Sequence, residues 1–462
     1  MEAYDDTERL VAASRHLWQN YFSDEPPAER PDVLVRGEGI YVYDAEGKRY
    51  LDTFASLLTT LCGHGRMEVV EAVRDQMEKL AYFPGGYDCI IEPTVRLAEK
   101  LAEVTPGDLS VSFLVNDGSE ATEAAIKMAR NYFWVQGQEA RKKIIFRRYS
   151  YHGATLGAMS ATGLPSMRRP FEPLVPGFTH VMPARCYHCE LGLEPDGCGM
   201  ACLRNLEATV EWEGPETVAA IIMDTIPGSN TGFPPPPEGY LEGVRALCDE
   251  HGILLILDEI QVGCGRTGKW FACENWGIAP DIIALAKGFS GGYLPLGAAV
   301  ASDRIAKTFK EAKSGFRHVH TYAGHPAACA AALANLEIIE KENLVARSAE
   351  LGAHLKERLE ALYKYPVVGD VRGMGTLWAV ELVGNRDSRE AVKPSGRAGG
   401  FVSKFCREAG MILRANGDII VLAPSLIMTN DQADEMVGLI DQGIAQAMEH
   451  CKLEGDSYTW SE

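Results

Sequence analysis

Lys287 stands in the segment Asp281-Ile-Ile-Ala-Leu-Ala-Lys-Gly-Phe-Ser-Gly-Gly, where a short apolar run delivers one lysine bounded by glycines. Upstream, Ile253-Leu-Leu-Ile-Leu-Asp-Glu-Ile-Gln ends a second apolar run in a carboxylate, Asp258. A lysine after Ala-Leu-Ala is partly desolvated, which lowers its pKa and frees the amine to attack a carbonyl. A buried aspartate needs a partner, and a pyridinium N–H is one. Each residue alone has a plain alternative: Asp258 as a helix-capping charge, Lys287 as a lysine snorkelling to the surface. Together and in this order they point to a Schiff-base site.

Other residues fit around that pair. Asp117-Gly-Ser-Glu-Ala-Thr-Glu-Ala-Ala opens an amphipathic helix after an apolar run. Gly118 permits close backbone approach and Ser119 offers a hydroxyl at a helix N-terminus, a setting that favours phosphate. Without further support, Gly-Ser there is an ordinary N-cap. Tyr151, in Tyr151-His-Gly, offers a ring to stack on a planar ligand, against the alternative of a buried loop aromatic.

Alternating elements must position these residues. Apolar runs begin at Ser112, Lys143, Ala219, Ile253 and Ile282, with helical patterns between them. Continuous apolar strands between helices indicate a buried parallel or mixed sheet, whose ligands lie beyond the carboxyl ends of the strands. Asn116, Asp224, Asp258 and Lys287 each closely follow such a run. The expected fold class is α/β: a large domain with a mixed, mostly parallel sheet, over residues 68–326, and a smaller α+β domain over 327–462. Residues 1–67, with a helical pattern from Glu8 to Tyr21 and a hairpin over 39–52, join the smaller domain. Ala327 to Lys341 reads as a long helix. Residues 367–382 read mostly as strand and 398–409 as helix, before a strand at 417–422 and a last helix from Asn430.

At this point the chain resembles a class III aminotransferase, of the fold type I family dependent on pyridoxal phosphate (PLP). The signature runs Asp258-Glu-Ile-Gln-Val-Gly-Cys-Gly-Arg-Thr-Gly, then Pro280-Asp, Lys287-Gly and Pro295-Leu-Gly. The resemblance implies that Lys287 carries the cofactor and later moves the proton, while Asp258 pairs with the pyridine nitrogen. It implies Ile260 and Tyr151 on the two ring faces, Gln261 at the phenolic oxygen, and Gly118 and Ser119 at the phosphate. Thr321, in His320-Thr-Tyr-Ala-Gly-His-Pro, resembles the phosphate contact that this family supplies from the partner subunit. A homodimer with shared sites and ping-pong kinetics follow.

Three positions bear on substrate. Ala154 stands where 4-aminobutyrate and ornithine aminotransferases carry an arginine for a substrate carboxylate. Leu413-Arg-Ala-Asn-Gly-Asp resembles the amine–pyruvate (ω) transaminase segment whose mobile arginine, here Arg414, pairs with a keto acid; the alternative is a structural ion pair. Leu58 stands where many ω-transaminases have tryptophan, so that wall of the substrate pocket is smaller. Asp117, Asp224 and Thr225 depart from the usual serine, glutamate and proline. The expected donor is a primary amine or ω-amino acid resembling taurine, β-alanine or a diamine, and the expected acceptor is pyruvate. A decarboxylase or aminomutase of the same family and a non-catalytic ligand-binding module are the alternatives.

Composition narrows the classes further. The 462 residues carry a net charge of −19, which argues against nucleic-acid binding. No apolar run is long enough to span a membrane, and the acidic N-terminus lacks a signal-peptide core, so a cytoplasmic location is expected. Of the twelve cysteines, Cys186, Cys189, Cys198 and Cys202 have spacing that admits zinc, although the second pair is wider than usual. Reduced thiols or a loop staple is the preferred reading, and no metal is expected.

Overall fold

The computed structural model describes residues 7–18, 31–86 and 88–461. At its centre is a seven-stranded sheet, in the order Leu109–Val115, Gly297–Ser302, Ile282–Leu285, Leu254–Asp258, Val218–Asp224, Lys143–Arg147, Phe178–Val181. Gly297–Ser302 is antiparallel to both its neighbours, and the remaining pairings are parallel. The sheet is therefore mixed and mostly parallel. Every residue of Val218–Asp224 and Leu254–Asp258 is buried, because helices cover both faces. One covering helix, Gly118–Trp134, buries Ala121, Ala124, Ala125, Met128 and Ala129 against the sheet. Another, Pro326–Lys341, is apolar almost all round and packs on the helices Met67–Lys79 and Glu92–Val104.

A second, antiparallel sheet runs Val368–Met374, Leu377–Leu382, Ile419–Leu422, Arg414–Asn416. It shares a core with the helices Leu344–Glu360, Arg397–Glu408 and Asn430–Glu449. The N-terminal hairpin, Tyr41–Asp44 and Arg49–Asp52, is sewn to this part of the chain by parallel pairing of Leu51 with Met411 and Asp52 with Ile412. The early helix spans Thr7–Ala13 and gives way to a 3-10 turn at Ser14–His16, shorter than the pattern from Glu8 suggests; residues 19–21 lie outside the described residues. Sequence pattern missed Gly297–Ser302, where Val300 is the one β-branched residue among glycine, alanine and serine, and Phe178–Val181, a half-exposed edge strand. It also missed the terminal hairpin Cys451–Glu454 and Ser457–Trp460. No helix among the described residues is long and apolar enough to cross a membrane.

Directly after Asp52 the backbone makes a turn of the wrong hand. Ala55, Ser56, Leu57 and Leu58 have φ of 43°, 46°, 74° and 64°. The amide of Leu58 donates to the Phe54 carbonyl at 2.8 Å, and Thr59 to Ala55 at 2.8 Å, which closes one left-handed helical turn. Such a turn costs about 1–2 kcal/mol per non-glycine residue. Asp52 offsets it: its carboxylate accepts from Phe54 N at 3.1 Å, Ser56 N at 2.6 Å and Ser56 Oγ at 2.8 Å. Asp52→Ala is expected to remove about 2–4 kcal/mol of local stability, read as faster amide exchange over residues 54–59. Unchanged exchange in that variant would show that packing alone holds the turn.

Candidate functional site

Register brings the chemistry together. In the parallel ladder Asp224 pairs with Asp258, and Asp258 with Ala284, so two carboxylates leave the sheet side by side. Beyond Ala284 the chain runs through Leu285 and Ala286 into Lys287, whose φ is +50°. A non-glycine residue there is strained and persists only where its surroundings hold it. Asn335, buried in the helix Pro326–Lys341, supplies the hold: its Nδ2 donates to the carbonyls of Gly288 at 2.9 Å and Phe289 at 3.2 Å. Gly291, at φ +65°, leaves room for that contact, since a Cβ would sit 2.5 Å from Asn335 Oδ1.

Lys287 and Asp258 line one cavity of about 390 Å³, together with Asn116, Gly118, Ser119, Tyr151, Ile260 and Gln261. The sequence-derived candidates for cofactor contact thus share one wall, Thr321 excepted. Gly118 opens its helix, with Asp117 as N-cap accepting from Glu120 N at 2.8 Å. A Cβ at Gly118 would meet Ile260 Cδ1 at 3.0 Å. Ser119 Oγ accepts from Ala154 N at 3.1 Å, and a Cβ at Gly153 would overlap that same Oγ. Ala154 therefore offers only its backbone here. Gln261 Oε1 accepts from Ser229 N at 3.3 Å.

Beneath the cavity the charges are compensated by residues the sequence did not single out. His152 Nδ1 is 2.8 Å from Asp258 Oδ2, and Ile260 N donates to Asp258 Oδ1 at 3.0 Å. His152 is also 4.0 Å from Asp224, which lies 4.0 Å from Arg147, and Arg147 donates to the Asp224 carbonyl. His152, Asp224 and Asp258 bring three ligand-type atoms within 4.8 Å of one another; here the imidazole and guanidinium supply the positive charge. Burial works against a charged His152, but Asp224 and the bond to Asp258 outweigh it, and its pKa is held above the usual value. Burial raises Asp224 to about 6, and the neighbouring Asp258 charge adds to the effect. Lys287 is lowered, chiefly by burial; Asp258 and Asp224 oppose this, while Arg414 reinforces it. Next to Asp258, Glu259 is raised to about 7 by burial although Thr225 Oγ1 donates to it at 2.7 Å. Thr225, in the usual proline's place, thus has a polar partner.

Three candidates lie off this cavity. Leu58 is turned into the core by the left-handed turn and packs in a cluster with Phe54, Ile226 and Phe233; Thr59 is the residue that faces the cavity. Arg414, half-buried on an edge strand, lies over the Phe54 ring at 5.2 Å and donates to Asn416 Oδ1 at 3.0 Å. Thr321 is exposed in a turn, its carbonyl accepting from Tyr82 Oη. All twelve cysteines are free thiols. Cys186 and Cys202 are raised first by burial and then by neighbouring thiols. Among the described residues, the four clustered cysteines do not bring three sulfurs within 4.8 Å.

These residues fit PLP: a desolvated amine, a carboxylate with a compensated charge, a helix start at Gly118, and Tyr151 and Ile260 on the cavity wall. Comparison with known proteins agrees. The family model for class III aminotransferases matches residues 25–444. A solved (S)-enantioselective ω-transaminase from Thermomicrobium roseum has a TM-score of 0.89 and 41% identity, covering 97% of this chain and 99% of its own. A probable aminotransferase of Mycobacterium tuberculosis is 39% identical over 427 residues, 91% of either chain. A putrescine–pyruvate aminotransferase of Pseudomonas aeruginosa is 34% identical over 408 residues, 88% of this chain and 89% of its own. The chain belongs to the class III aminotransferases, PLP-dependent enzymes of fold type I.

Proposed function

We propose that this enzyme moves an amino group from a primary amine or ω-amino acid (taurine-, β-alanine- or diamine-like) to pyruvate, in a homodimer with shared sites. The observation that carries the reading is the placement of half-buried Arg414 over the Phe54 ring at 5.2 Å, together with an alanine rather than an arginine at position 154. An arginine that can swing to meet a carboxylate serves an acceptor that has one and a donor that has none. The names of the relatives from Thermomicrobium roseum and Pseudomonas aeruginosa support the same class.

The chain's own residues then have distinct tasks. PLP, when bound, supplies a carbonyl for the amine and a ring that accepts the electron pair left when the substrate proton departs. Lys287, its pKa lowered by burial, gives up its proton more readily than an exposed lysine, and would first take the cofactor and later move the proton as general base and acid. Asp258, held by His152 at 2.8 Å, would pair with the pyridine nitrogen. Gly118 and Ser119 at the helix start would hold the phosphate, with Tyr151 and Ile260 flanking the ring and Gln261 reaching the phenolic oxygen. Thr321 would reach the partner's site, in keeping with its exposure outside its own cavity. Leu58 shapes the site through Phe54, on which Arg414 lies.

A panel of amine donors against pyruvate and 2-oxoglutarate tests the reading; a strong preference for 2-oxoglutarate would undercut the role of Arg414. Lys287→Ala is expected to lose the visible cofactor absorbance and to lower turnover by about three orders of magnitude or more; full turnover in that variant would overturn the mechanism. Arg414→Gln should raise KM for pyruvate by roughly ten- to a hundredfold and leave KM for a carboxylate-free amine nearly unchanged. Equal loss on both substrates would point to a structural arginine instead.

His152 gives a prediction in pH. Its folded pKa lies above an unfolded value of about 6.5, so its charge stabilises the fold fully below that value and the contribution fades as pH rises through the folded pKa. The gap in thermal midpoint between wild type and His152→Gln is therefore widest below about pH 6 and narrows above it. A gap that widens with pH would contradict the charge assignment.

A further inference from the structure

A second cavity, of about 510 Å³, lies away from the catalytic one and exceeds it in volume. Lys127, Arg130, Asn131 and Trp134 line it from the helix Gly118–Trp134. Their spacing of i, i+3, i+4 and i+7 puts them on one helical face. Lys142, just before the strand Lys143–Arg147, and the segment 314–317 with Phe316 and Arg317 close the other sides.

Lys127, Arg130, Lys142 and Arg317 thus converge, and none makes an ion pair with a carboxylate among the described residues. That is unusual in a chain with 64 acidic and 45 basic residues. The helix dipole accounts for little of it, because Lys127 is well inside the helix and two of the cations come from other elements. The walls are also fixed. Arg130 donates from Nε to the Lys142 carbonyl at 2.9 Å and from Nη2 to Pro176 at 3.4 Å, and lies over Phe178 at 5.1 Å. Phe316 packs edge-on against Phe113 at 5.1 Å, which ties the far wall to the sheet. Lys127 Nζ sits 2.7 Å from His318 Nδ1, and burial together with that cation pushes His318 down to about 4. His318 is therefore a neutral acceptor and adds no competing charge.

We propose that this cavity binds a phosphate-bearing anion, with the four cations on the phosphate and Trp134 at the mouth against a planar aromatic part. Lysine and arginine side chains recognise phosphate by charge and, for arginine, by paired N–H donors. Trp134 lines the cavity and is 56% exposed, which leaves part of its indole available to a base. A cavity of this size accommodates a nucleoside monophosphate.

The test uses the holoenzyme, whose catalytic cavities are filled with cofactor. Adenosine monophosphate, pyrophosphate and adenosine are titrated by calorimetry at low and high salt. The expected result is one molecule of adenosine monophosphate per chain, weaker binding at high salt, and little retention of adenosine. Pyrophosphate binding as tightly would assign the site to bare phosphates; weaker pyrophosphate would assign it to nucleotides. Both outcomes support the anion site. Lys127→Glu combined with Arg317→Glu, outside the catalytic machinery, should weaken binding by about tenfold or more and leave transamination in the absence of the anion unchanged. Three results would overturn the proposal: no binding up to about 1 mM, adenosine bound as tightly as its phosphate, or binding unaffected by the double variant. If the double variant changed only the mass of the assembly, the cavity would be a contact between copies of the chain, and the proposal would also fail.

Discussion

Everything in the catalytic site depends on how Asp258 and Asp224 are compensated. The parallel register sets these two carboxylates on adjacent strands of a sheet buried on both faces. Each buried ion costs several kcal/mol unless charge and hydrogen bonds repay it. His152 and Arg147 repay it from below the cavity, and Lys287 shares its wall. The division of labour follows from geometry. Asp258 takes the short bond to His152 and keeps its other oxygen on the Ile260 amide, whereas Asp224 is held only at 4.0 Å and is raised to about 6. The more tightly held carboxylate is the one that faces the cavity.

Strain is the second constraint, and polar clamps bear it. Lys287 at φ +50° and the turn from Ala55 to Leu58 both hold left-handed backbone without glycine. In each case a buried polar side chain from elsewhere in the local chain or fold makes the conformation affordable: Asn335 on the carbonyls after Lys287, Asp52 on the amides around Ser56. Such clamps fix direction. They aim Lys287 at the cavity, and they turn Leu58 inward while leaving Thr59 on the cavity wall. Preorganisation of this kind spares the reacting groups the cost of being ordered during turnover.

What was legible in the sequence was what periodicity and strand ends encode. The apolar runs ending near Asn116, Asp224, Asp258 and Lys287 do converge, because ligands in open α/β sheets lie beyond the carboxyl ends of strands. The partners were harder to read. His152 lay inside the motif that drew attention to Tyr151, but nothing local shows that an imidazole points down at a carboxylate 106 residues away. Asn335 had a usable signal, a lone amide in a run of alanine and leucine, since a buried amide must bond something. The direction of Leu58 was not legible, because side-chain direction through a left-handed turn cannot be inferred from spacing. The cysteine spacing admitted a metal, yet spacing says nothing of whether four sulfurs reach a common point.

Chemistry and specificity also sit on parts of the fold with different rigidity. Asp258 ends a central strand of the large sheet and Lys287 follows two residues after the next one, where a shift of one residue would flip every neighbour. Arg414 occupies a three-residue edge strand of the smaller sheet, half-buried and bonded to Asn416 two residues on. An edge strand can tolerate a change of rotamer that a central strand cannot, because only one side of it is committed to the ladder. In the proposed reaction, a side chain that meets a carboxylate in one half-reaction and leaves room for an uncharged amine in the other suits such an edge. The proton-handling groups, which must not move, belong where the sheet holds them.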